Sequence, residues 1–535
     1  MVVEKNTYLL SYDVGTTGLK TCLFSSQNQL KLVASSLAKY PLYLCEGGGA
    51  EQDPQDWYNA MATTTKQVLL QSNIESSLIR GISFCSQMQA LVLVDSQGNA
   101  LRNAFSYLDQ RATNELKEGM AHGLTIAGAN IVKLLISLAI TKAVATSVKD
   151  PVWKYQWVKK HESEIYARIH KWLDVKEYLI AQLTGAFVMT EDSAFATLLF
   201  NVRKRIWSPL MCKMLKVDPS HLPPIIRSTD EAGKLSQKAA DFLGLQAGTP
   251  VFGGGGDAAI IGLGSGSAKA GDSHIYIGTS GWLSTVVERS MVDPKTKTAA
   301  IVSALPGFFT YFCELETAGK CLEWVKDHLA LDEINLYLDK KLVTDSPEAI
   351  ATNLYEYMAS VIDTIPPGSN RVLFTPWLHG NRCPFEDCNV RGMFFNVSLE
   401  TGKTEMIRAV TEGVCLHMRW FLEVQERTIK TSPTIRFVGG GALSPVTCQI
   451  LSDTLGRNIQ TIEQPQNVGA LGAAIIAAMG LGLYKSAQEA TQAIVVGALY
   501  TPRVEAKAVY DRNYSVYKQL YRCNKKLFAA LNCRE

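Results

Sequence analysis

Nowhere in the 535 residues do two cysteines stand in Cys-x-x-Cys spacing, which excludes a zinc ribbon and a thioredoxin-like redox pair. The 12 cysteines are scattered, several within apolar runs such as Thr21-Cys22-Leu23-Phe24, and read as reduced thiols of a cytoplasmic protein, not as a disulfide frame. Charge of one sign is also missing. Lys and Arg number 53 against 50 Asp and Glu, and the resulting +3 provides no basic field for nucleic acid. Met1-Val2-Val3-Glu4-Lys5-Asn6 lacks the basic-then-apolar pattern of an export leader, so none is expected. Membrane-length apolar runs are scarce as well. Leu124 to Thr141 is interrupted by Lys133 and marginal in length, and Val468 to Leu483 is shorter and glycine-rich. The first is expected to be a buried or interfacial helix, and no membrane partner is expected. At 47% hydrophobic and 19% charged, the chain has the balance of a soluble globular protein, with length enough for two large domains.

What the sequence does contain is a short glycine hairpin written twice. Tyr8-Leu9-Leu10-Ser11-Tyr12-Asp13-Val14-Gly15-Thr16-Thr17-Gly18 returns 263 residues later as His274-Ile275-Tyr276-Ile277-Gly278-Thr279-Ser280-Gly281. Each copy is a β-rich run, a glycine turn carrying hydroxyls, and a second β-rich run. Glycine lets a backbone approach an anion closely, and hydroxyls and N–H groups can donate to phosphate oxygens. A single copy would also serve as a plain turn, but recurrence in matched context suggests two similar halves around one nucleotide. The first copy carries Asp13 and Lys20, whereas the second has Tyr276 in place of the aspartate. Cation chemistry is therefore expected on the first loop only.

The hairpin at 7–24 is followed by an expected strand over 29–40, a helix from Pro54 to Gln71, and strands at Ile79–Cys85 and Ala90–Val94. Residues 110–245 read as mostly helical. Helices are expected near 316–330, 346–364 and 402–427, and a strand at 435–438. The halves are expected to divide near Gly248-Thr249-Pro250, as 1–248 and 249–535, without a flexible linker.

Gly253-Gly254-Gly255-Gly256-Asp257 ends an apolar strand and precedes a helix-forming run. A carboxylate there can reach into a cleft and suits a general base that takes a proton from an alcohol. The plain alternative is a helix N-cap. Val438-Gly439-Gly440-Gly441-Ala442 is a second strand–glycine element without a Walker lysine, suited to a flat base or to a tight turn. Ser86-Gln87-Met88-Gln89 and Tyr107-Leu108-Asp109-Gln110-Arg111 follow strands and offer polar groups to a polyol.

Taken in order, these residues make the chain similar to the FGGY carbohydrate kinases, and most of all to their xylulokinase-like members, along nearly its whole length. The landmarks are Asp13-Val14-Gly15-Thr16-Thr17, Glu51-Gln52-Asp53-Pro54, Gln87-Met88, Asp109-Gln110-Arg111, Lys154-Tyr155-Gln156-Trp157, Gly255-Gly256-Asp257, Gly278-Thr279-Ser280, Gly380-Asn381-Arg382-Cys383-Pro384, Arg391-Gly392 and Gly440-Gly441-Ala442. The resemblance implies an α/β fold of two actin-like, ribonuclease-H-type domains with an interdomain cleft. It implies ATP and Mg²⁺ as cofactors, a small sugar or polyol as partner, and a homodimer as the one macromolecular association to test. It makes Asp257 the catalytic base and a sugar contact, and Asp13 the metal-side carboxylate. Thr16, Thr17, Lys20, Gly278, Thr279, Gly319, Gly441 and Ala442 become ATP contacts, and Gln87, Met88, Gln89 and Asp109 sugar contacts. Departures bear on the sugar. Gln89 stands where xylulokinases have His, Tyr107 where they have Trp, Asn381 where they have an acid, and Ala258 where the family has Asn. D-xylulose is the first expectation. Ribulose, another ketose or glycerol remain alternatives, as does an actin-like protein that binds sugar and ATP without turnover.

Overall fold

The strand Tyr8–Val14 (β1) is buried along both faces and so reads as continuously apolar, which is what a central strand between two covering layers requires. It pairs antiparallel with β2 (Gly18–Ser25), which pairs antiparallel with β3 (Lys31–Lys39). Helix α1 (Pro54–Ser72) then crosses over and delivers β4 (Ile79–Ser86) parallel to β1. Asp53 caps α1 by accepting from Gln55 N at 2.9 Å, and Pro54 takes the first helical position, where no N–H is needed. The structure is a computed structural model that describes residues 7–27, 29–126, 128–329, 356–357 and 359–533.

Three later segments complete the first sheet: β5 (Glu231–Lys234), β6 (Pro250–Phe252) and β7 (Gly255–Gly256). The order is β5-β6-β4-β1-β2-β3, with β7 also on β4. Strand pairing thus carries the first sheet past residue 248 as far as Gly256. Residues 110–245 are more mixed than the mostly helical expectation. Helices over Pro151–His161, Val175–Thr184 and Glu191–Ala196 (α2) alternate with two-stranded pieces.

The apolar stretch from Leu124 departs from the expected buried or interfacial helix. Its first part is a hairpin, Thr125–Ile126 against Ala129–Asn130, and the helix spans only Ile131–Ile140. Asn130 explains the late start, since its side chain accepts from Val132 N and Lys133 N and caps the helix there. Leu124, Val132 and Leu135 remain exposed. No helix among the described residues is long and apolar enough to cross a membrane.

The second half repeats the plan. Helix α3 (Asp257–Ser265) leads to the hairpin β8 (Ser273–Ile277) and β9 (Gly281–Val287), then to β10 (Val292–Asp293), β11 (Thr298–Val302) and β12 (Phe309–Leu315). Helices α4 (Gly319–His328) and α5 (Lys403–Glu426) precede β13 (Thr434–Val438). After it come α6 (Pro445–Leu455), β14 (Asn458–Ile462), α7 (Val468–Gly480), β15 (Val496–Tyr500) and α8 (Val504–Asn532). The sheet order is β10-β11-β12-β9-β8-β13-β14-β15. The expected helix at 346–364 lies largely outside the described residues.

Both sheets share one nucleus. In β3-β2-β1-β4-β6 and in β12-β9-β8-β13-β14, an antiparallel meander is followed by two strands parallel to the first hairpin strand. This is the doubled ribonuclease-H-type, actin-like fold that the resemblance implied. Between the sheets, α7 lies on β1, β2 and β4 while α3 lies on β8, β9 and β13, and the two helices pack on each other. They touch at Gly264, where a Cβ would stand 2.1 Å from Val468 O, so only glycine permits that crossing. One apolar cluster joins the layers, drawing Leu9, Cys22 and Cys85 from the first sheet and Ile260 and Ala474 from the two helices.

Candidate active site

Strands β1 and β7 flank β4 on opposite sides, and both Asp13 and Gly255 are in register with Cys85. Neighbouring strands are about 4.8 Å apart, so Asp13 and the residue after β7, Asp257, leave the sheet about 10 Å from each other. They do so at the carboxyl ends of parallel strands, where ligands bind in open α/β sheets. The glycines before Asp257 have specific reasons. Gly254 is at φ +68° with its missing Cβ 2.2 Å from Phe84 O, and a Cβ on Gly256 would meet Met88 Cγ at 2.2 Å.

Gly256, not Asp257, occupies the N-cap of α3. Asp257 is the first helical residue and is partly open, and its Oδ1 accepts from Ala258 N at 2.7 Å. Burial pushes its carboxyl up to about 7, and the negative charges of Asp13, Glu314 and Asp192 act the same way, against the Ala258 N–H. Burial also raises Asp13, opposed by the Lys20 ammonium and the Cys85 thiol. The N-terminus of α7 closes over Asp13, since a Cβ on Gly469 would be 2.8 Å from Asp13 Oδ2.

The first glycine loop is held from behind. Tyr40 OH donates to Gly15 O at 2.5 Å and Gly18 O at 3.1 Å, and Gln52 Nε2 donates to Thr16 O at 2.8 Å. Carbonyls turned inward in this way leave the hydroxyls of Thr16, half-buried, and Thr17, exposed, on the open side. Lys20 Nζ donates to Asn467 Oδ1 at 3.1 Å and Gln466 O at 3.3 Å, tying the first hairpin to the start of α7.

The second loop is one residue tighter. Ile277 pairs with Gly281, while Val14 pairs with Leu19, so three residues rather than four bridge the strands. Tyr276, in the sequence place of Asp13, stacks on Trp282 with ring centroids 4.1 Å apart. Gly319 N donates to Gly278 O at 2.8 Å, and Ala318 N and Lys320 N both donate to Thr279 O. Gly441 and Ala442 lie in a short turn after β13, against Ile277. Gly278, Thr279, Gly319, Gly441 and Ala442 therefore gather at the end of β8.

The residues assigned to sugar divide. Met88 packs on Gly256 beside the base. Gln89 has φ +64°, its N–H donating to Asp174 Oδ2 and its carbonyl accepting from Lys154 Nζ, both at 3.0 Å, so its backbone is fixed while its side chain is partly open. Gln87 is buried and donates through Nε2 to Gly15 O at 3.2 Å and Gln52 Oε1 at 2.8 Å, bracing the first glycine loop. Asp109 is fully buried and accepts from Arg111 Nε, Arg111 Nη2 and Ala50 N at 2.9, 2.7 and 2.7 Å. It stands in an ion network with Glu51, behind the pocket wall. Tyr107 lies beside Thr16 and near the charges of Asp257, Glu314 and Glu316. Asn381 holds its own loop, donating to Cys383 O and Phe385 O. Tyr40, Asp174, Asp192 and Glu314 escaped the sequence reading. Tyr40 and Asp174 directly follow the strands ending at Lys39 and Leu173, a signal that could have found them, whereas Asp192 in α2 and Glu314 inside β12 carry no such mark and are brought to the site by folding.

Among the described residues no three acidic, histidine or cysteine side chains converge as a complete metal cage. Two carboxylates at neighbouring strand ends beside the hydroxyl-bearing glycine loop do fit Mg²⁺, which keeps several waters and takes its other ligands from one or two carboxylates and substrate phosphates.

Two family profiles cover most of the chain. The N-terminal domain of the FGGY family of carbohydrate kinases matches residues 8–264, and the C-terminal domain matches 274–481. The chain belongs to the FGGY family of carbohydrate kinases. This FGGY kinase is 29% identical to a xylulose kinase of Bacillus subtilis (strain 168) over 529 residues, 98% of each chain. It is 26% identical to a gluconokinase of the same organism, over 96% of each. The solved gluconate kinase of Lactobacillus acidophilus superposes with a TM-score of 0.83 at 24% identity, covering 99% of this chain and 100% of its own. The ligand-bound xylulose kinase of that organism gives the same TM-score and identity, covering 98% and 100%. At that identity these two structures speak for the fold alone. The FGGY kinase is accordingly a phosphotransferase acting on a sugar or polyol hydroxyl.

Proposed function

We propose that this FGGY kinase transfers the γ-phosphate of ATP to a hydroxyl of a ketopentose, D-xylulose first. The observation that carries the reading is Asp257, a partly open carboxylate at the glycine-lined end of β7, raised by burial to about 7 and close enough to Asp13 of the first hairpin to feel its charge. A base of that strength accepts a proton near neutral pH as the alcohol attacks. The new O–P bond forms in line with the breaking bond to ADP, and positioning with charge neutralisation supplies most of the acceleration. The Thr16, Thr17 and Thr279 hydroxyls donate to phosphate oxygens, Lys20 supports them with charge, and Gly278, Gly319, Gly441 and Ala442 let the backbone come close to the nucleotide. Asp13 would hold Mg²⁺, in part through water. When bound, that ion neutralises charge on the phosphates. Residues 1–248 supply the sugar pocket and first loop, and 249–535 the base and nucleotide contacts. Free cysteines suit a reducing cytoplasm.

Met88 and Gln89 line the sugar side with Tyr107, while Gln87 and Asp109 keep that wall in shape. D-xylulose is supported by relatives named xylulose kinase at 26–29% identity over nearly the whole chain. Gluconate is the rival, because two relatives are named gluconokinase at 26% and 24%. Initial rates of ADP release with D-xylulose, D-ribulose, gluconate and glycerol decide between them. The highest kcat/KM is expected for D-xylulose, and a preference for gluconate or glycerol overturns the substrate assignment.

A further inference from the structure

Helix α2 (Glu191–Ala196) contains none of the residues assigned to ATP or sugar, yet it places a carboxylate directly behind the base. Asp192 is 1% exposed, and its Oδ2 accepts the N–H of Gly256 at 2.6 Å. Gly256 is the residue before Asp257 and the N-cap of α3, so this bond fixes the peptide from which the base departs. Met88 clamps the same residue from another side, occupying the space a Cβ would take.

The surroundings of Asp192 show that it is placed with care. Lys176 Nζ lies 3.7 Å from Oδ2 and donates to Glu177 Oε1 at 2.7 Å and to Ser193. Glu177 in turn accepts from Thr190 N and Oγ1. Asp192 Oδ1, by contrast, is closed to solvent and has no hydrogen-bond partner among the described residues. That orphan oxygen costs stability, as does the unpartnered Glu177 Oε2 beside it, so the cluster is held at a cost around the one bond to Gly256.

The geometry points to Asp192 as a positioning residue that, by holding the Gly256 amide, fixes the aim of Asp257 at the substrate hydroxyl. The inference rests on Asp257 being the base. General-base transfer needs heavy-atom contact of about 2.6–3.2 Å, and a base displaced by even 1 Å costs about 10²-fold in rate.

The test compares Asp192→Ala, which removes the acceptor, with Asp192→Asn, which keeps an oxygen for the Gly256 N–H. Sugar phosphorylation, sugar-independent ATP hydrolysis and melting temperature are measured for each. Asp192→Ala is expected to lower kcat for phosphorylation by about 10–100-fold, with KM for sugar and the basal ATP hydrolysis little changed. Asp192→Asn is expected to stay near wild type. In an Asp257→Asn background, Asp192→Ala should cost nothing further, because a residue acting through the base has no effect once the base is gone. If Asp192→Ala does not fold, Asp192→Ser, too short to reach the amide, takes its place. Wild-type kcat in the Ala or Ser variant, equal losses of phosphorylation and basal hydrolysis, or multiplying losses in the double variant would each overturn the inference. A wild-type protein inactive on every sugar would instead sink the reading of Asp257 itself.

Discussion

Asp13 and Asp257 bring the same charge to one cleft and answer to different neighbours. Lys20 faces Asp13, whereas Asp257 meets mainly burial and other carboxylates and rises to about 7. With deprotonated Asp257 as the proposed base, kcat/KM should fall by about tenfold per pH unit below that value. Replacing Asp257 with Asn should lower kcat by about 10²–10⁴-fold, read by coupled ADP release. Stability runs the other way. A carboxyl raised from 3.8 in the unfolded chain to about 7 binds its proton more tightly when folded, so its contribution is present below pH 4 and lost as pH rises through 7. Asp257→Asn should therefore melt higher than wild type at pH 8 and nearly with it at pH 4, and a lower melting temperature at pH 8 would contradict the burial argument. The placement of this residue between strand and helix was legible because four glycines before an aspartate are unusual. The supporting parts of Gln87 and Asp109 were not, since their partners, Gly15, Gln52, Arg111 and Ala50, meet them only after folding.

The two hairpins look interchangeable as sequence and differ as elements. The shift from a four-residue to a three-residue bridge turns the aligned positions of the second strand to the other face. That puts Tyr276 against Trp282, where the first copy pairs Asp13 with Lys20. Register belongs to the whole sheet, so the motif alone does not reveal it. At the second loop the contact is backbone on backbone. A Cβ on Gly319 would lie 2.1 Å from Gly278 O, and neither partner is a flexible side chain. Gly319→Ala should push α4 away from the loop, raise KM for ATP several-fold, and cost about 1–3 kcal/mol of stability. An unchanged KM for ATP would remove Gly278 and Gly319 from the nucleotide site. The apolar run at Leu124 teaches the same lesson in reverse. Composition suggested one helix, and the Asn130 cap set its true start.

For the whole molecule, α3 on β8, β9 and β13 and α7 on β1, β2 and β4 lie between the sheets and pack on each other, so the halves share a core. Motion between them is expected to hinge there and to close over bound sugar, excluding water. The shared core also governs the thiols. Cys45, Cys388, Cys523 and Cys533 are exposed and the other eight are buried. A thiol reagent should thus label four sites rapidly in the native protein, and all 12 after denaturation. More than four fast sites would place buried cysteines such as Cys22 or Cys85 at the surface.

The sequence by itself determined the doubled hairpin, the crossover helix α1 with Pro54 at its start, the glycine-flanked Asp257 between strand and helix, and the family. These are local features, set by periodicity, capping and turn chemistry within a few residues. Only the tertiary structure decided which polar residues line the cleft and which brace it, that the second hairpin is a residue tighter, and that Asp192 stands behind Gly256. Those outcomes rest on contacts between segments tens to hundreds of residues apart, where burial and register are properties of the assembled sheets.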